Sequence, residues 1–224
     1  MPAPPALQAV VFDLDGLMFN TEELYEEVGE ILLQRRGFHF TEPLKRQTMG
    51  LPDRVSLQII IDRHGLDVTV DQFQAESDQL LAELLPARLR PLPGLERLLT
   101  VLESVPLPKA IATSSGRLYT ATVLSRAGFE RRFQFVLTGE DVREGKPSPE
   151  VYLTAARRFG LPPAALMVLE DSENGCRAGV AAGAYTVAVP GPHSRDHDFG
   201  GVALVAQSLA DARIYRALRL APPI

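Results

Sequence analysis

The sequence is poor in several of the things a protein can be built from, and each scarcity excludes something. It has one cysteine, Cys176, so no disulfide can close within the chain, and such sparing use fits a reducing compartment. The glycine and alanine neighbours of Cys176 read as a small packed helical site and not as the surroundings of a nucleophile. Lysine occurs three times, at Lys45, Lys109 and Lys146, the other basic residues being arginine. No apolar run approaches the roughly 20 residues that a membrane-spanning helix needs. The opening Met1-Pro-Ala-Pro-Pro has neither the basic start nor the apolar core of a secretory leader. There is no internal repeat and no low-complexity tract. A basic excess is missing too: the net charge is −5, which argues against nucleic acid or an anionic membrane as the main partner. It leaves room for a small phosphorylated molecule held by a metal and a few local cations. The expectation is a soluble, cytoplasmic protein, and nothing in the sequence asks for more than a monomer.

What is present suffices for a sizeable core. The chain has 224 residues, 46% hydrophobic and 23% charged, enough for one domain with a large insertion. Ala9-Val10-Val11-Phe12 reads as a buried strand. It runs into Asp13-Leu14-Asp15-Gly16, two carboxylates one residue apart and then a glycine suited to a turn. At about 4 Å and an effective dielectric near 20, two such charges repel by roughly 4 kcal/mol. A cation beside them removes that cost and makes the hard oxygen site that Mg²⁺ prefers.

Residues 18–90 carry helical periodicity and no convincing strand. Thr21 is the expected cap of a helix over 21–36 that stops at Gly37. Further helices are expected at 42–48, 53–64 and 69–85, and the block ends at the stiff Pro91-Leu92-Pro93-Gly94. Beyond it, helix and strand alternate. Strands are expected at 109–113, 135–138, 166–169 and 185–189, with helices at 95–103, 118–127, 149–159 and 172–182. This pattern predicts an α/β fold: a Rossmann-like three-layer core with a central parallel sheet, formed by 1–17 and 91–224, and an inserted helical cap over 18–90.

Ligands of such sheets bind beyond the carboxyl ends of the strands, and chemistry-bearing residues gather there in order. Asp13 and Asp15 follow the first strand. Thr113-Ser114-Ser115-Gly116 follows the second, with hydroxyls and N–H groups leading into a helix, a ready anion site. Lys146, in Gly145-Lys146-Pro147, precedes the helix after the third, and Glu170-Asp171-Ser172 follows the fourth. Each has an ordinary reading taken singly, as a helix start, a turn residue or a cap. Their placement at successive strand ends is what separates them from that reading.

This ordered set resembles the four-motif signature of the haloacid dehalogenase-like superfamily. More narrowly it is similar to the branch of the β-phosphoglucomutases and phosphoglycolate phosphatases, with the helical block where that branch has its cap. The resemblance covers essentially the whole chain. It implies that Asp13 attacks phosphorus to form an aspartyl-phosphate. Asp15 then protonates the leaving oxygen and later deprotonates the attacking water. By the same resemblance Thr113, Lys146, Ser114 and Ser115 would hold the phosphoryl oxygens, and Mg²⁺ would be held by Asp13, the Asp15 carbonyl and Asp171, with Glu170 assisting directly or through water. Gly50 and Arg54 are the implied substrate contacts from the cap.

Departures from the relatives narrow the chemistry. Dehalogenases lack the second aspartate. Phosphonate-cleaving relatives carry a Schiff-base lysine after a Met-Gly-Leu-like stretch, whereas Met49-Gly50-Leu51-Pro52 leads here to Asp53. The histidine that β-phosphoglucomutases carry soon after the second aspartate is missing from Glu22-Glu23-Leu24-Tyr25. Asn20 stands where many relatives have aspartate and can still hydrogen-bond at the hinge. The reading is therefore a Mg²⁺-dependent phosphatase of a small phosphorylated metabolite. A sugar-phosphate mutase and a non-catalytic phosphometabolite-binding protein are its rivals, the latter opposed by the intact acids of the first motif. His193-Ser194-Arg195-Asp196-His197 reads as a solvated loop, and His39 and His64 as surface residues near helix ends.

Overall fold

The computed structural model describes residues 6–48 and 53–221; Gly50 lies outside them. Tertiary contacts divide the chain into two compact units, one formed by Met1–Asn20 with Arg90–Ile224 and the other by Thr21–Leu89.

The first unit is built on a six-stranded parallel sheet in the order β3-β2-β1-β4-β5-β6. Its strands are β1 (Ala9–Phe12), β2 (Lys109–Ala112), β3 (Val136–Leu137), β4 (Leu166–Glu170), β5 (Tyr185–Ala188) and β6 (Leu204–Val205). The helices of this unit are Leu95–Glu103, Arg117–Ala127, Glu150–Phe159, Glu173–Ala181 and Ala212–Ala217. In chain order, after the four of the other unit, they are α5 to α9. Every residue of β1, β2 and β4 is buried, as a parallel sheet covered on both faces demands. Alternation along β1 sorts its side chains. Ala9 and Val11 pack with Val168, Tyr152, Ala155 and Ala178, which come from β4, α7 and α8. Phe12 meets Phe133 edge to face, with ring centroids 5.8 Å apart.

The alternating order expected from the sequence is present, with differences at the edges. The third strand is shorter than 135–138 because Thr138 leaves the ladder: its N–H and hydroxyl both donate to the Asp141 carboxylate, at 2.9 and 2.8 Å. The sixth strand and α9 were not expected. Leu204–Val205 is too short to carry a period, and pairing with β5 makes it a strand, Val187 lying against Leu204 and Ala188 against Val205.

After β1 the chain makes a tight excursion. Gly16, at φ 71°, donates its N–H to the Phe19 carbonyl at 3.2 Å, a left-handed turn that glycine adopts without strain. Asn20 and Arg90 then join side by side: the Asn20 N–H donates to the Arg90 carbonyl at 3.2 Å, and the Arg90 N–H donates to Asn20 Oδ1 at 2.8 Å.

The second unit is helical. It comprises α1 (Thr21–Gln34), α2 (Glu42–Thr48), α3 (Asp53–His64) and α4 (Val70–Arg88). Helix α1 packs on α4, and α3 packs on both α2 and α4. Leu24, Val28, Leu32, Leu44, Ile61, Phe73, Leu81 and Leu85 supply its buried apolar side chains. Thr21 is the first residue inside α1 and not its cap, whereas Thr69 caps α4 and exchanges side-chain to backbone bonds with Gln72 in a capping box. Helix α4 outruns the expected end at 85 and carries Pro86 within its last turn. Among the described residues, no helix is long and apolar enough to cross a membrane.

Candidate active site

The strand order puts β1 between β2 and β4, so the ends of these three strands are neighbours. Phe12 pairs with Leu169 on one side and Ile111 on the other. The Asp13 N–H extends the ladder by donating to the Leu169 carbonyl at 3.0 Å, and the Thr113 N–H does the same to Leu137 at 3.0 Å. Asp13, Thr113, Glu170 and Asp171 are buried, all where their strands stop.

Lys146 joins them from the loop before α7. Its Nζ donates to Asp13 Oδ1 at 2.5 Å, to Glu170 Oε1 at 2.6 Å and to the Ala112 carbonyl at 3.0 Å. Those are all three protons of an ammonium. Burial disfavours its charge, but Asp13 and Glu170 outweigh burial and hold the Lys146 pKa well above the ordinary lysine value. The Tyr152 ring lies beside it, 5.3 Å from Nζ.

Glu170 is held as firmly. Oε1 accepts from Lys146 and, at 2.6 Å, from the Tyr152 hydroxyl. Oε2 accepts from the Ser172 hydroxyl at 3.0 Å and its N–H at 3.3 Å. A side chain on Gly175, in the first turn of α8, would overlap this carboxylate, so the helix can approach β4 only with glycine at that position.

One carboxylate oxygen each from Asp13, Glu170 and Asp171 lies within 4.8 Å of the others. Three buried acids face one ammonium, and burial raises the Asp13 pKa well above the usual carboxylate range, with Lys146 opposing and Glu170 and Asp15 reinforcing it. A donor set of hard oxygens with this negative excess suits a divalent cation.

Asp15 points elsewhere. Its Oδ2 accepts from the Ser115 hydroxyl at 2.6 Å and from Thr113 at 3.4 Å, and its Oδ1 from the Tyr119 hydroxyl at 2.8 Å. The two aspartates of the opening motif are thus separated by their partners: Asp13 faces Lys146, Asp15 faces the start of α6. Thr113 also accepts the Ser115 N–H at 3.0 Å. Ser114 is exposed. The expected anion site at the start of α6 is partly filled by the chain itself, since the Arg117 N–H donates to both carboxylate oxygens of Glu140 at 3.0 Å.

The remaining candidates lie apart from this cluster in their partners. Arg54 pairs with Asp71 at 2.6 Å within the helical unit, both side chains mostly exposed. His197 Nδ1 accepts the Glu173 N–H at 3.3 Å, seating its loop on α8. Cys176 is buried, and burial pushes its thiol pKa far up, as expected of a packing residue. Tyr119 and Tyr152 were not anticipated. Both stand in the first turn of a helix that starts beside a strand end, and helical side chains lean toward the N-terminus; that position was the signal available.

Comparison with known proteins agrees with this geometry. Residues 10–189 match the model of the haloacid dehalogenase-like hydrolases. The chain belongs to that family. It is 31% identical over 177 residues to a phosphorylated carbohydrates phosphatase of Thermotoga maritima, covering 79% of this chain and 82% of that one. It is 34% identical over 191 residues to (DL)-glycerol-3-phosphatase 2 of Arabidopsis thaliana, covering 82% and 79%. Among solved structures, a haloacid dehalogenase family hydrolase of Deinococcus radiodurans with bound phosphate and sodium superposes with a TM-score of 0.80 at 27% identity, over 97% of this chain and 99% of that one. This family membership makes the strand-end cluster the candidate active site of a hydrolase.

Proposed function

We propose that the chain is a Mg²⁺-dependent phosphatase of a small phosphorylated metabolite, working through an aspartyl-phosphate on Asp13. The observation that carries the reading is Lys146, which reaches from the loop before α7 to sit between Asp13 and Glu170, with Asp171 alongside, at the ends of the adjacent parallel strands β1 and β4. The phosphatase relatives that act on phosphorylated carbohydrates and on glycerol 3-phosphate support a sugar or polyol phosphate as the substrate class.

Asp13 and Asp171 would hold the ion, together with the Asp15 carbonyl. The Glu170 oxygens already accept from Lys146, Tyr152 and Ser172, so Glu170 serves chiefly as the anchor of Lys146 and shares in the metal through water. When bound, Mg²⁺ supplies positive charge to the phosphoryl oxygens as negative charge develops there.

The rest belongs to the chain. Phosphate monoester hydrolysis can require up to ~10²¹-fold acceleration, most of it from positioning and charge neutralisation. Lys146 delivers a fixed positive charge beside the nucleophile, and two acids keep it protonated. Asp13 forms a bond to phosphorus through a carboxylate oxygen while the ester P–O bond breaks and Asp15 gives a proton to the departing oxygen. Water then attacks phosphorus, Asp15 takes its proton, and the bond to Asp13 breaks to restore the carboxylate. Thr113 and Ser114 are the residues proposed to hold the phosphoryl oxygens, while Ser115 gives its hydroxyl to Asp15 and its N–H to Thr113. By the family resemblance the helical unit corresponds to a cap domain, and Gly50 and Arg54 are the residues proposed to bind substrate from it.

The test is turnover of p-nitrophenyl phosphate with Mg²⁺. Asp13→Asn should lower kcat by about 10³-fold or more, as loss of a covalent nucleophile does, and trapping with acid should find phosphate on the wild-type protein. Wild-type turnover in Asp13→Asn would overturn the covalent route.

A further inference from the structure

Asp15 has to aim its carboxyl first at an ester oxygen and then at a water, yet the torsion that sets the plane of an aspartate carboxyl is broad and roughly two-fold. A single hydrogen bond leaves the group free to swivel about that contact. Here both oxygens are taken, by different residues: Ser115 donates to Oδ2 at 2.6 Å, and Tyr119 donates to Oδ1 at 2.8 Å. Ser115 belongs to the loop after β2, and Tyr119 to the first turn of α6. That turn is in turn pinned: the Arg117 N–H binds Glu140, and the Arg117 side chain reaches Asp141 at 3.1 Å.

We propose that Tyr119 is a positioning residue for proton transfer by Asp15, fixing with Ser115 the plane in which the carboxyl gives and takes its proton. This rests on the phosphatase reading. Each carboxyl oxygen keeps acceptor capacity whether or not it carries the proton, so both hydroxyls can go on donating to Asp15 while its acid proton faces the leaving oxygen. In the first step Asp15 loses its proton to the leaving oxygen as the P–O bond breaks. In the second it regains one from the water that attacks phosphorus. Tyr119 stays protonated throughout and touches neither substrate nor phosphorus.

Proton donation matters in proportion to the basicity of the leaving group. Phenyl phosphate and p-nitrophenyl phosphate have nearly the same shape, but phenolate is the more basic leaving group and needs the proton more. The measurement is kcat/KM for both esters with Mg²⁺ in the wild type, Tyr119→Phe, Asp15→Asn and the double variant, with a thermal melt of each. Tyr119→Leu runs beside them should Tyr119→Phe not fold. Misplacing a catalytic group costs up to about 100-fold, so in Tyr119→Phe the ratio of phenyl to p-nitrophenyl turnover should fall about tenfold. In the Asp15→Asn background the added change should leave the ratio where Asp15→Asn put it, because residues acting as a unit are not additive. An unchanged or raised ratio in a folded, active Tyr119 variant overturns the proposal and leaves the phosphatase reading standing. A further fall of the ratio in the double variant overturns it as well, since Tyr119 would then act without Asp15. A wild type inert toward both esters removes the proposal and the phosphatase reading together.

Discussion

Two sets of ion pairs, one in each unit, show how differently this chain spends charge. In the helical unit Arg36 meets Glu76 at 2.7 Å, Lys45 meets Glu26 at 2.7 Å and Arg88 meets Glu27 at 2.6 Å, every partner at least a fifth exposed. Pairs of that kind are worth about 0–1 kcal/mol each. In the sheet unit Lys146, Asp13 and Glu170 are no more than 10% exposed, and burying each ion costs several kcal/mol before its partners return anything. Apolar residues of the same volume at these strand ends would often be as stable or more so. The difference teaches where to look for chemistry: charge that a stable fold would discard is held, by many donors, at one cluster of strand ends.

Breaking the buried set should give the largest effect. Lys146→Met leaves Asp13 and Glu170 without their ammonium, and loss of one partner from a buried pair costs about 3–5 kcal/mol. Denaturant unfolding should show that loss, and p-nitrophenyl phosphate turnover should fall by about 10³-fold or more. Stability equal to wild type would mean the cluster carries less buried charge than its geometry states. Gly175→Ala sharpens the comparison without touching a charge. Its methyl group competes with the Glu170 carboxylate for space, and overpacking of this kind costs about 1–3 kcal/mol. Turnover should drop with it, because Glu170 anchors Lys146. The smallest effect belongs to the exposed set. The His39 ring and the Phe40 N–H bind the Glu30 carboxylate and lower its pKa from 4.5 to about 2. A depressed carboxylate adds stability that is fully present above the unfolded value and fades as pH falls through the folded one. Thermal melts between pH 4.5 and 2 should therefore decline slightly less steeply in Glu30→Gln, and equal slopes over that range would mean that the Glu30 carboxylate gains nothing from its partners.

Most of the sheet was legible in the sequence because its inner strands are continuous apolar runs bounded by polar residues. Leu166 to Leu169 can be little else. The outer strand Leu204–Val205 was not, since two residues have no period and only β5 gives them a partner. The end of α4 was not legible either: the helix runs on to Arg88 with Pro86 in its final turn, where proline usually stops a helix. The Asp13, Lys146, Glu170 and Asp171 cluster was legible because its residues come at or after the ends of the first, third and fourth strands of the chain, in order. What the spacing left open was the orientation of each side chain. Nothing in Asp13-Leu14-Asp15 says that one carboxylate faces Lys146 and the other faces Ser115 and Tyr119. That division is made by residues a hundred or more positions away, in contacts that depend on the sheet already being assembled.

Asn20 and Arg90 carry a consequence of another kind. The chain leaves the sheet unit and returns to it at two residues that hydrogen-bond to each other, so everything between them is an excursion from a single point. Such an arrangement lets the two parts of the sequence diverge at separate paces. The strand ends of the sheet unit can be kept while the excursion between Asn20 and Arg90 is lengthened, shortened or exchanged.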